Sequence, residues 1–127
     1  MKNFFIISFL ILFSSSVFAN YKYSFEECLQ ISDGVNAETP MVLSDELVMD
    51  FTTCMSFDDG ARLIYMYQTS WSKNQLGPGY KQRATKNMCE NPDTYNLLLG
   101  LKDVQYQFSS FSGEFINNVT LKADECR

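Results

Sequence analysis

No histidine occurs in this chain of 127 residues, and that absence removes several chemistries at once. Histidine is the commonest general acid–base residue. Ser-His-Asp and Cys-His nucleophile arrangements cannot be built without it. Positive charge is also scarce: ten Lys and Arg stand against fifteen Asp and Glu, for a net charge of −5. Nucleic-acid binding wants a basic face, so no nucleic-acid partner is expected. There is no C-x-x-C, and the four cysteines are far apart, which argues against a zinc site. Asp58-Asp59-Gly60 lacks the remaining ligands of a calcium loop and reads as a turn. No metal or other cofactor is expected. Long apolar runs are missing too. The one candidate, Phe4 to Phe13, is interrupted by Ser8 and is about half the ~20 residues a spanning helix needs.

That run instead fits an export leader. Lys2 gives a positive start, the apolar stretch follows, and Val17-Phe18-Ala19 places small residues where a signal peptidase reads. The reading is a cleaved signal peptide over residues 1–19 and a single domain over 20–127. Loss of Lys2 takes the net charge from −5 to −6. The mature chain has no second apolar stretch, so no integral membrane segment is expected and a periplasmic or secreted location is. All four cysteines, Cys28, Cys54, Cys89 and Cys126, lie in the exported part. An even count in a small exported domain reads as disulfides. The pairing nearest in sequence, Cys28–Cys54 and Cys89–Cys126, is favoured.

Local patterns supply the elements. Ser24-Phe-Glu-Glu27 has the hydroxyl and the carboxylate of a capping box, and Gly34 suits the end of that helix. Leu47, Met49, Phe51, Thr53, Met55 and Phe57 alternate with Asp50, Thr52 and Ser56, predicting a half-buried strand. Cys54 falls on its polar side. A bond to Cys28 then requires either a helix crossing that side or a bulge in the strand. After the turn at Asp58-Asp59-Gly60, Leu63-Ile-Tyr65-Met-Tyr67 is apolar on both sides, as a central strand is. Gly77-Pro78-Gly79 marks a loop. A helix follows over Tyr80–Cys89, and Asn91-Pro92 starts another. The final hairpin pairs Val104, Tyr106 and Phe108 with Phe115, Val119 and Leu121. The predicted fold is α+β: an antiparallel sheet of about four strands in two hairpins, with helices packed on it.

Charge is unevenly placed. From Gly60 to Cys89 there are five cations and no acid; the remainder of the mature chain holds four cations and all fifteen acids. Trp71, Lys73, Tyr80, Lys81, Arg83 and Lys86 are therefore the candidate partner-binding residues. They form a basic helix face beside an aromatic-flanked loop, suited to a protein with an acidic surface. No catalytic residue is assigned. The alternative is a small carboxylate-dependent hydrolase acting on envelope polysaccharide, which needs two acids from separate elements in one cleft. The adjacent pairs Glu26/Glu27, Asp45/Glu46, Asp58/Asp59 and Asp124/Glu125 read as solvated caps and turns. Tyr65, Tyr67 and Tyr106 read as core and sheet-surface aromatics. Asn118-Val-Thr120 matches a glycosylation sequon but lies in a predicted strand and is taken as chance.

Cys89, Pro92, Leu97-Leu98 and Gly100, then Val104, Tyr106, Phe108, Gly113-Glu-Phe-Ile116 and Cys126, carry a resemblance. Over about half the mature chain, this pattern resembles small exported bacterial proteins, including a family described as quorum-sensing-regulated virulence factors. The resemblance implies an α+β fold and a periplasmic or secreted location, and no catalytic residue. Together these readings lead to an exported, non-catalytic protein-binding module: an inhibitor, immunity protein, secretion accessory or virulence-associated protein.

Overall fold

The computed structural model describes residues 22–126; the leader expected over residues 1–19 lies outside the described residues. The chain begins with helix α1 (Phe25–Asn36), followed by strands β1 (Met41–Ser44), β2 (Leu47–Phe57) and β3 (Gly60–Thr69). A 3-10 turn at Asn74–Leu76 leads into helices α2 (Pro78–Glu90) and α3 (Pro92–Gly100). Strands β4 (Asp103–Ser109) and β5 (Phe115–Leu121) and a last 3-10 turn, Ala123–Glu125, complete it. The strands form one sheet in the order β1-β2-β3-β4-β5.

The α+β class holds, but the sheet is not the expected antiparallel one of about four strands. Among the described residues it has five, and β3 pairs with β4 in parallel. Two hairpins joined by helices need not meet antiparallel. Here the α2–α3 connection carries the chain across so that β4 starts beside Arg62, at the same end as β3. The fifth strand, β1, was invisible as a period because only four residues take part. β3 is the central strand, as its two-sided apolar run required.

Three cross-strand rows make the sheet's contribution to the core. Cys54, Leu63, Val104 and Leu121 form one; Thr52, Tyr65, Tyr106 and Val119 the next; Met49, Tyr67, Phe108 and Asn117 the third. Cys28 of α1, Met88 of α2 and Leu98 of α3 join the same buried cluster. The opposite face is open at Phe51, Met55, Phe115 and Asn118. At the parallel seam Asp103 is fully buried, and Arg62 donates to it from Nε at 2.6 Å and from a terminal nitrogen at 3.1 Å. A buried carboxylate is tolerated with such a two-pronged partner.

Both devices proposed for Cys54 are present. α1 packs across β2 and β3, and β2 carries a bulge at Asp50, which has no partner between Met49↔Tyr67 and Phe51↔Met66. An extra residue inverts the alternation. Thr52 and Cys54 thus turn inward, while Phe51 and Met55, expected in the core, are 45% and 48% exposed. A second irregularity skips Ile116 between Phe108↔Asn117 and Ser109↔Phe115. It puts Phe115, also expected in the core, outside at 63% exposure.

The helix ends follow the sequence. Ser24 Oγ accepts from the Glu27 backbone at 3.1 Å, and the Glu27 carboxylate accepts from the Ser24 backbone at 2.8 Å. Helix α1 passes through Gly34 to end at Asn36. Asn91 caps α3 by accepting from the Asp93 and Thr94 backbones, with Pro92 in the first turn. Helix α2 starts at Pro78, two residues earlier than expected, because a proline fits the first turn, where its missing N–H is not needed. Both disulfides have the expected pairing, Cys28–Cys54 and Cys89–Cys126.

Candidate functional site: a tyrosine-floored cleft

β3 and β4 place three tyrosines in a group on the helix-bearing face. Tyr65 and Tyr67 lie two residues apart on β3, so their rings point the same way and stack at 6.2 Å. Tyr106 on β4 stands edge-on to both, at 5.5 Å and 5.4 Å. These rings floor a cleft of about 440 Å³. The face of α2 that bears Tyr80, Arg83 and Asn87 walls it, and Asn91 and Thr94 at the start of α3 close one end.

The floor is continuous with a deeper aromatic stack. Tyr67 lies parallel to buried Phe108 at 5.2 Å, and Tyr80 meets Phe108 edge-on at 5.6 Å. Trp71 packs on both Tyr80 and Phe108, and its indole Nε1 donates to Glu46 at 3.1 Å. Such stacks fix ring positions more tightly than burial alone.

Burial pushes the Tyr65, Tyr67, Tyr80 and Tyr106 phenols above the ordinary tyrosine value. Neighbouring phenols add to the rise at Tyr67 and Tyr106. Arg83 acts against it at Tyr80, which puts the guanidinium within electrostatic reach of that hydroxyl. All four are therefore neutral O–H donors at neutral pH. Among the described residues, the Tyr65, Tyr67 and Tyr106 hydroxyls make no hydrogen bond within the protein.

The six residues expected to contact a partner do not share one surface. Tyr80 and Arg83 line the tyrosine cleft, with Trp71 behind Tyr80. Lys73 is exposed just before the 3-10 turn. Lys81 and Lys86 occupy the other side of α2, in a cleft of about 560 Å³ beside the Cys89–Cys126 bond. There Lys81 pairs with Glu125 at 3.1 Å and Lys86 with Glu90 at 3.9 Å, so the surface is mixed in charge. Glu90 and Glu125, carboxylates from separate elements, both line that cleft. A paired-acid hydrolase holds one carboxyl protonated in a dry environment. Glu125 and Glu90 are 36% and 63% exposed, and each faces a lysine. A third cleft gathers Lys22, Lys102 and Lys122 with Asp124. Lys22 is held by the Leu99 carbonyl and Lys102 by Asp59. Among the described residues, no group of three or more His, Cys, Asp or Glu side chains is placed to hold a metal.

Sequence reasoning did not place Tyr65, Tyr67, Tyr106 and Asn87 together in a cleft. A usable signal was there. Tyrosine in place of phenylalanine at alternate strand positions marks a face that is apolar at the sheet and wet at the ring tips. Asn87 shares a helix face with Tyr80, Arg83 and Ala84 at three- and four-residue spacing.

An α+β module with an aromatic cleft and two disulfides is the class defined by this geometry. No family model and no curated protein matches the chain. Among solved structures it is similar to a Pseudomonas aeruginosa protein described as secreted, at 15% identity and a TM-score of 0.68, covering 81% of this chain and 92% of that one. It is also similar to EpsS, the pilotin of the Vibrio vulnificus type 2 secretion system, at 16% identity and a TM-score of 0.57, covering 81% and 91%. AspS, a type II secretion system pilotin from Vibrio cholerae, matches at 18% identity and a TM-score of 0.52, covering 80% and 91%. At these identities the kinship is one of fold: the chain folds as small exported bacterial proteins do. Among the described residues, no helix is long and apolar enough to cross a membrane.

Proposed function

We propose that this chain is a non-catalytic accessory module of the bacterial envelope, periplasmic or secreted, that holds a protein partner in the tyrosine-floored cleft. The observation that carries the reading is the cleft itself. It combines a preformed aromatic floor with a few phenol, amide and guanidinium groups at its rim, the general make-up of a binding site. The disulfides and the fold shared with a secreted protein and two pilotins support the compartment. Inhibitor, immunity, secretion-accessory and virulence-associated roles all suit such a module. The pilotin neighbours favour the secretion accessory, with a quorum-sensing-regulated virulence factor as a narrower form of the same design. In this reading Tyr80 and Arg83 touch the partner, Trp71 holds Tyr80 in place, and Lys73, Lys81 and Lys86 are peripheral.

Affinity enrichment from envelope extract separates the cleft from the basic helix face. Asn87→Trp fills the cleft from an exposed helix position. Lys81→Glu/Lys86→Glu reverses the charge on the other side of α2. The expected result is loss of the specific partner with Asn87→Trp and its retention with the double variant. The opposite pattern would move the site to the basic face.

A further inference from the structure

We infer that the tyrosine cleft recognises an acidic segment of its partner, a carboxylate side chain adjoining an apolar one. This deepens the proposed function and rests on it. The first ground is charge. The chain is acidic overall, yet among the described residues the only charged one lining this cleft is Arg83. Of the five cations between Gly60 and Cys89, three are paired, Arg62 with Asp103, Lys81 with Glu125 and Lys86 with Glu90; Lys73 is exposed outside the cleft, and Arg83 lines it. Among the described residues Arg83 makes no ion pair and no hydrogen bond. A guanidinium beside an aromatic floor, with no carboxylate among the described residues that line the cleft, is complementary to a carboxylate brought from outside.

The second ground is the bias of the available polar atoms. The Asn91 carbonyl oxygen is occupied by the α3 backbone, and the Thr94 hydroxyl donates to the Met88 carbonyl at 2.7 Å. What stays available at the rim can donate: the Arg83 guanidinium, which only donates, and the Asn87 amide and tyrosine hydroxyls, which donate or accept. A phenol is neutral at neutral pH and burial favours that form further, so no phenolate repels an incoming anion. The floor supplies the other half of the specificity. Stacked and edge-on rings present carbon surface that an aliphatic or aromatic side chain covers.

Selection from a random peptide library on the immobilised mature protein tests this, with Arg83→Gln and Asn87→Trp run in parallel. Arg83 is exposed, and thermal melts of both variants confirm an intact fold before selection. The expected result is enrichment of Asp or Glu next to an apolar residue. Arg83→Gln should bind the enriched peptides on the order of tenfold more weakly. Asn87→Trp should abolish binding. Enriched peptides that are neutral or basic yet blocked by Asn87→Trp would overturn the acidic preference while leaving a protein-binding cleft. Acidic peptides whose affinity is unchanged in Arg83→Gln would overturn the role of Arg83 and with it the inference. No enrichment that depends on Asn87 would remove both the inference and the reading beneath it. So would Arg83-dependent binding to anionic phospholipid vesicles in place of any peptide.

Discussion

Asn36, a single residue, stands in for the strand that β2 lacks along part of its length. β1 pairs with β2 only as far as Met41↔Met49, which leaves the next outward-facing backbone groups of β2 without a ladder. The Thr52 N–H donates to Asn36 Oδ1 at 2.6 Å, and Asn36 Nδ2 donates to the Thr52 carbonyl at 2.8 Å. Ser32 Oγ and Thr52 Oγ1 meet at 2.7 Å beneath it. A buried edge with unpaired groups costs stability unless something of this kind covers it. Asn36→Ala is expected to lower unfolding stability by about 2 kcal/mol, read from urea unfolding. A loss of a few tenths would mean that water satisfies Thr52 equally well. Gly100 carries a related constraint. A Cβ at that position would run into the Tyr23 ring, and Tyr23 N–H donates to the Gly100 carbonyl at 2.8 Å. Neither partner is legible from sequence, because the helix reads as ending at Gly34, short of Asn36, and Tyr23 lies just before the Ser24 cap.

Elements whose signals are local were legible: the capping box at Ser24, the Asn91-Pro92 restart and the turn at Asp58-Asp59-Gly60. The disulfide pairing was legible as well, since proximity in sequence coincided with proximity in space. Strand faces were not. In β2 the alternation Phe51, Met55 looks like a buried stripe, and one unpaired residue at Asp50 turns it outward. A bulge leaves no composition signal, because Asp50 is as ordinary in a strand's polar row as in a bulge. This gives a direct test. Leu63→Ala empties a fully buried position and is expected to cost about 3 kcal/mol. Phe51→Ala is expected to cost under ~1 kcal/mol, as an exposed substitution does. Equal costs in chemical denaturation would place Phe51 in the core and remove the bulge.

At the scale of the whole molecule, helices and disulfides lie on one face of a mixed sheet, and a cleft opens between them over β3 and β4. The parallel seam that creates this floor depends on the long α2–α3 connection, which periodicity alone cannot orient. Folded, the cleft phenols ionise above the ordinary 10.0. Unfolded, they ionise near it. The neutral phenols therefore contribute stability that is fully present below about pH 10 and lost as pH climbs through the folded values. Tyrosinate absorbance for this group should rise together with loss of structure. Independent titration near pH 10 with the fold intact would contradict the packed floor.

The central claim is that the molecule works by binding through this cleft. Photo-cross-linking in cells tests it most directly, with a compact aliphatic diazirine side chain, too small to fill the cleft as Asn87→Trp does, placed at Asn87 in the cleft, at Gln82 on the other side of α2, and at Asn118 on the open sheet face. The account predicts one specific protein adduct from position 87 and none from 82 or 118. The same adduct from 82 or 118, with nothing from 87, would contradict it.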